Sequence, residues 1–208
     1  MRKLVLASQS PRRQELLKLL GHPFSVIPAH VEENYLSGEL PSGHVKRLAE
    51  AKAGKIAGEV PKSIVIGSDT IVVIDGDILG KPGSRAEAFD MVMRLQGRTH
   101  EVYTGFALID TESGRMISDF EMTEVTMTPL IPSLVDLYLD TGESFDKAGA
   151  YGIQGYGSAL IVSVKGCYFN VMGLPLAKLM KTLNSFSNGY FGYFGSGGDK
   201  LQCNCMKN

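Results

Sequence analysis

Two hairpin signals decide most of what this 208-residue chain can fold into. Asp75-Gly76-Asp77 follows a β-branched run, and a turn around Ser113-Gly114 separates two strand-like segments, His100 to Ile109 and Ile117 to Met127. Each signal closes an antiparallel pair. Elsewhere strand and helix patterns alternate. Lys3 to Ala7 and Phe24 to Ile27 read as strands, and Arg12 to Leu20 and Val45 to Ala57 as helices. Ser63 to Gly67 and Ile71 to Ile74 read as two strands around Ser68-Asp69-Thr70. Helices are expected over Ala86 to Leu95, Ser133 to Leu139 and Leu176 to Leu183, and strands over Ser158 to Val164 and Tyr168 to Val171. Alternation alone favours a parallel sheet, but the hairpins break it. The expected fold is α/β with a mixed sheet.

The length suits one domain or a two-lobed domain. From about Ser185 the chain becomes glycine- and aromatic-rich without helix or strand period, so residues 1–184 are expected to form the domain and 185–208 a flexible tail. A net charge of −1 argues against bulk binding to nucleic acid or to an anionic membrane. Pro11, Arg12 and Arg13 interrupt the short apolar run at the N-terminus, so neither a signal peptide nor a membrane span fits. The three cysteines, Cys167, Cys203 and Cys205, are too few and clustered for a disulfide framework, and a cytoplasmic location is the natural reading.

Ser8-Gln9-Ser10-Pro11-Arg12-Arg13 carries the first chemical signal. Ser10 suits a helix N-cap and Pro11 the first helical position. Backbone N–H groups, hydroxyls and two guanidinium groups then converge, which is the chemistry of a phosphate site. The alternative is ordinary capping with solvated arginines. Against it, positive charge in a first turn opposes the helix dipole unless an anion is present.

Asp69, between two apolar segments, fits two readings. It is either a turn aspartate bonding its own backbone, or a carboxylate that needs a counterion, a metal or a cleft. Glu32 and Glu33 form an acidic pair in a polar loop, of interest only beside a nucleotide and a metal. Gly80-Lys81-Pro82 places a lysine in a rigid turn, whereas Lys52 on its helix carries no weight by itself. Asp146 to Gly155 is glycine-rich and contains Gln154, whose amide can read the edge of a base. Walker and dinucleotide-fold glycine motifs are absent, and so are zinc and serine-hydrolase signatures.

Five segments occur in the order seen in Maf proteins: Ser8 to Arg13, Gly67 to Thr70, Gly80 to Pro82, Asp146 to Gly155, and Val171-Met172-Gly173-Leu174-Pro175. The chain resembles that family over about residues 3 to 184. The resemblance implies an elongated two-lobed fold similar to the inosine triphosphate pyrophosphatases, with a cleft between the lobes. It also implies hydrolysis of a nucleoside triphosphate to monophosphate and pyrophosphate with Mg²⁺ or Mn²⁺. On that resemblance Asp69 is the catalytic carboxylate, binding metal or orienting water, and Glu33 is a further metal ligand. Ser8, Arg12, Arg13, Lys52 and Lys81 face the triphosphate, and Arg12, Thr70 and Gln154 distinguish substrate classes. Tyr151-Gly152-Ile153-Gln154 is similar to the dTTP/UTP branch. Ser68 stands where alanine is frequent, and Cys167 replaces a usual acidic residue. A homodimer is a family expectation. So is a link to septum arrest, which leaves a nucleotide-sensing regulator as the alternative function.

Overall fold

A computed structural model describes residues 2–192. One seven-stranded mixed sheet organises the chain, in the order β2-β1-β3-β5-β6-β7 with β4 also paired to β3. The strands are β1 (Lys3–Ala7), β2 (Phe24–Val26), β3 (Ser63–Ile74), β4 (Asp77–Leu79), β5 (Thr99–Asp110), β6 (Met116–Met127) and β7 (Ile161–Lys165). The helices are α1 (Pro11–Lys18), α2 (Pro41–Ala57), α3 (Arg85–Leu95), α4 (Pro132–Asp140), α5 (Tyr168–Met172) and α6 (Leu176–Phe186). β1 runs parallel to both β2 and β3, while every other pairing is antiparallel. The mixed sheet expected from the hairpins is therefore present. Asp75 and Gly76 take positive φ angles of 55° and 81°, which suits a two-residue turn between β3 and β4.

Where two strands were expected around Ser68-Asp69-Thr70, there is one twelve-residue strand. Gly67 to Thr70 are paired with β5 throughout, through Ala107, Phe106, Gly105 and Thr104. Local polarity signalled a turn, and tertiary pairing overrode it. On the opposite edge, β1 covers Ser63 to Gly67 and β4 covers Val72 to Ile74. Residues 68–71 have no strand there. At about 3.3 Å rise per residue, the five steps from Gly67 to Val72 span roughly 17 Å.

Period-two alternation divides β3 between the sheet's two faces. Val65 packs with Ala49, Ala53 and Ile56 of α2. On the other face Ile64 and Ile66 join one core with Leu16, Leu179 and Phe186. Val72 and Ile74, further along that face, join a second core with Met91, Val92 and Leu139. Ser68 and Thr70 lie between the two cores. This polar waist separates the chain into two lobes on that face.

Two other expectations are corrected. Tyr168 to Val171 is helical, within α5, despite its aromatic and β-branched residues; Gly173 closes the turn in the left-handed region at φ 111°. Gly155–Leu160 forms 3₁₀ turns, so the expected strand over Ser158 to Val164 begins only at Ile161. The segment expected to be a tail from Ser185 is anchored at its start. Phe186 and Phe191 are buried, and the Gly192 carbonyl is 2.7 Å from His22 Nε2. Residues 193–208, including Cys203 and Cys205, lie outside the described residues. Among the described residues no helix is long and apolar enough to cross a membrane.

Helix α2 lies so close to the sheet that two strand positions admit only glycine. A Cβ on Gly67 would stand 2.1 Å from the Ala49 carbonyl oxygen, and one on Gly105 2.4 Å from that of Val45. Gly105→Ala should therefore cost about 3 kcal/mol, the upper end of overpacking effects. Urea unfolding measures this. A loss below about 0.5 kcal/mol would contradict the contact.

Candidate active site

The gap in the edge of β3 opens into a cleft of about 840 Å³. Its wall includes Ser8, Arg12, Arg13, Glu33, Lys52, Asp69, Thr70, Lys81 and Gln154, so every site residue expected from sequence borders the same space. They arrive on several elements, with Asp69 and Thr70 both on β3. Ser8 follows β1, Arg12 and Arg13 open α1, Glu33 sits in the loop after β2, and Lys52 lies on α2. Lys81 follows β4, and Gln154 follows the glycine-rich segment.

Lys52 is the centre of charge. It is buried, and its ammonium donates to Asp69 Oδ1 and lies beside Glu33 Oε1, each at 2.6 Å. A buried carboxylate is costly when unpaired, and Lys52 supplies the countercharge for Asp69 in mid-strand. No side-chain or backbone donor to Asp69 Oδ2 is found among the described residues, which leaves that oxygen to the cleft. Glu33 is half-exposed. Burial raises its carboxyl pKa, but the Lys52 hydrogen bond and the charges of Lys52, Lys81 and Arg13 hold it below the usual range.

The two arginines have different jobs in the fold. Arg13 donates through Nε to the Gly173 carbonyl at 2.8 Å and through a terminal nitrogen to Thr70 Oγ1 at 2.8 Å. Its other terminal nitrogen lies 3.5 Å from Ser8 Oγ. Burial lowers its pKa, while Asp69 and Glu33 pull in the opposite direction. Arg12 instead reaches across the cleft and pairs with Asp146 Oδ2 at 2.9 Å. The Ser10 side chain accepts from the Arg13 N–H, as an N-cap with Pro11 behind it should. Lys81 and Gln154 are exposed on the cleft wall.

The structure adds residues that had no assigned role. Asp146 is held by Arg12 and by Lys147, whose ammonium lies 2.6 Å from Asp146 Oδ1. The Asp-Lys pair opening the glycine-rich segment was the available signal. Tyr35 stacks on buried His44 with ring centroids 4.6 Å apart. Arg47 grips Glu39 at 2.7 Å and the Asn34 carbonyl at 2.9 Å, tying down the loop that carries Glu33. No sequence period announces that clamp. Burial alone pushes His100 down to about 4, so it is neutral near pH 7, with its Nε2 2.6 Å from the Tyr151 hydroxyl.

Among the described residues, no three His, Cys, Asp or Glu side chains converge as a ready-made metal cage. Asp69 and Glu33 do converge on one cation, the Lys52 ammonium. Two carboxylates suit Mg²⁺ when phosphate oxygens and water complete the shell. The donor set fits a metal that arrives with a polyphosphate.

Lys52→Met should raise the Glu33 pKa, because burial then acts without its main partner; carboxyl NMR titration reads it. The same sign governs stability. A lowered carboxylate pKa stabilises the fold above the ordinary range, and that contribution fades as pH falls through the lowered value. An unmoved Glu33 titration in Lys52→Met would contradict the pairing.

Comparison with known proteins places the chain. The family described as Maf-like protein matches residues 3–186. A Syntrophus aciditrophicus protein named dTTP/UTP pyrophosphatase is 46% identical over 186 residues, covering 89% of this chain and 91% of that protein. A Thermoanaerobacter protein (strain X514) of the same name is 50% identical over 182 residues, covering 87% and 95%. One from Desulforamulus reducens is 47% identical over 190 residues, covering 89% and 97%. A solved dITP/XTP pyrophosphatase from Mycobacterium abscessus overlaps with a TM-score of 0.43 at 14% identity, covering 89% of this chain and 95% of that one, too slight a likeness to bear on the fold. The chain belongs to the Maf family.

Proposed function

We propose that this Maf-family chain is a nucleoside triphosphate pyrophosphatase that hydrolyses dTTP and UTP to the monophosphate and pyrophosphate. The observation that carries the reading is the Asp69–Lys52–Glu33 cluster, with Asp69 and Lys52 buried, in a cleft also lined by the N-terminus of α1. The names carried by relatives at 46–50% identity support the choice of substrate. No observation favours the nucleotide-sensing alternative.

The proposed reaction is attack of water on the α-phosphorus with pyrophosphate leaving. Such a transfer depends on alignment and charge neutralisation more than on covalent chemistry. Asp69 Oδ2 accepts a hydrogen bond from the attacking water and orients it. Lys52 holds the Glu33 carboxyl below its usual range and keeps the Asp69 side chain fixed. Lys81 and Arg12 line the cleft, and they neutralise the polyphosphate together with the backbone N–H of Arg12 in the first turn of α1. Arg12 must exchange Asp146 for substrate to do so. Arg13 sets Thr70 and the Gly173 carbonyl. A divalent cation, Mg²⁺ or Mn²⁺, would be held by Asp69 and Glu33, and when bound it neutralises charge on the phosphate oxygens.

The test resolves products from a nucleotide panel with Mg²⁺ or Mn²⁺. UTP and dTTP should give monophosphate and pyrophosphate, and Asp69→Asn should lose roughly 10²–10³ in kcat. Diphosphate with orthophosphate as products, or normal turnover by Asp69→Asn, would sink the proposal.

A further inference from the structure

Thr70 lies where β3 has no neighbour on one edge, between the last residue paired with β1 and the first paired with β4. Three contacts fix which backbone groups face that edge. Lys3 N–H donates to the Lys62 carbonyl at 3.0 Å, so even-numbered positions turn toward β1. The Ser63 carbonyl accepts from Thr111 N–H at 3.0 Å on the β5 side, so odd-numbered positions turn toward β5. At the far end, a two-residue turn makes Ile74 and Asp77 the pair that exchanges both backbone bonds, and even positions again face β4. Alternation carries both the N–H and the C=O of Thr70 into the gap. Among the described residues neither has a strand, turn or side-chain partner there.

The Thr70 side chain, by contrast, is already engaged. Thr104 spends its hydroxyl hydrogen on the Asn170 carbonyl at 2.8 Å, so in the 3.0 Å contact between the two threonines Thr70 is the donor. Thr70 Oγ1 also accepts from Arg13 at 2.8 Å. What Thr70 has left for a ligand is its main chain.

A donor beside an acceptor calls for a ligand that presents an acceptor beside a donor. Phosphate satisfies only the N–H and sets its charge against the carbonyl. The imide edge of uracil or thymine satisfies both, with a ring carbonyl next to N3–H. We propose that the Thr70 main chain reads the pyrimidine base: its N–H donates to a ring carbonyl, and base N3–H donates to its C=O. The base thus completes the sheet edge in place of a strand. Whichever ring carbonyl is used, cytosine in that register turns an unprotonated N3 against the Thr70 carbonyl. This inference rests on the dTTP/UTP reading above, and deepens it by naming the group that recognises the base.

The experiment compares UTP, 5-methyl-UTP, CTP and 3-methyl-UTP by kcat/KM with pyrophosphate as readout. In parallel, the Thr70 amide is followed by ¹⁵N–¹H NMR during titration with UMP and 3-methyl-UMP. Removing N3–H should lower kcat/KM by about 100-fold or more, as when a site's polar group is left unpaired. CTP should fall below UTP, and 5-methyl-UTP should stay close to it. UMP should move the Thr70 amide proton downfield, and 3-methyl-UMP should not. Turnover of 3-methyl-UTP or CTP at the UTP rate, or a Thr70 amide unmoved by UMP, would overturn the proposal. Failure of UTP to yield UMP and pyrophosphate would overturn the activity reading instead, and the amide titration would still decide the base contact.

Discussion

Strand β3 meets β1 over Ser63–Gly67 and β4 over Val72–Ile74 on one edge, and between them residues 68–71 have no strand beside them. A sheet interior does not tolerate unpaired backbone, so an interruption of this kind survives only where water or a ligand reaches it. The cleft is that place. The other edge of the same residues stays fully paired with β5, and this keeps the gap from collapsing. Because one continuous strand crosses both lobes, the groups it presents are fixed relative to each other by backbone geometry.

The alternation of that strand distributes the chemistry. Asp69 points toward α2 and finds Lys52, whereas Ser68 and Thr70 point the other way and find Gly173 and Arg13. Adjacent residues thus approach one cleft from opposite faces of the sheet. Gly67 and Gly105 let α2 lie close enough for Lys52 to reach Asp69. Ser68 donates within the buried waist toward the Gly105 carbonyl at 2.9 Å, with that of Gly173 at 3.1 Å. An alanine there would lack this tie.

Much of this was legible in the sequence, and what was not has identifiable causes. The Asp75-Gly76 turn and the capping residues Ser10 and Pro11 act locally, so their chemistry reads directly from the chain. Asp69 looked like a turn residue because its stabilising partner is seventeen positions away on a helix. Lys52 carried no signal for the same reason: a lysine on a helix reads as solvated until tertiary packing buries it between two carboxylates. Arg12 and Arg13 are neighbours in sequence, yet helical geometry turns one across the cleft to Asp146 and the other inward to Thr70. Tyr168 to Val171 has strand composition, and its five-residue helix is imposed by packing and by the glycine that ends it.

The position of Asp69 Oδ2 makes a claim that product identity alone does not settle, since water attacking either the α- or the β-phosphorus of UTP can give UMP and pyrophosphate. Turnover in H₂¹⁸O with mass analysis of both products separates the two. Attack on the α-phosphorus, the proposed reaction, puts one ¹⁸O into UMP and leaves pyrophosphate unlabelled. Label recovered in pyrophosphate would contradict it.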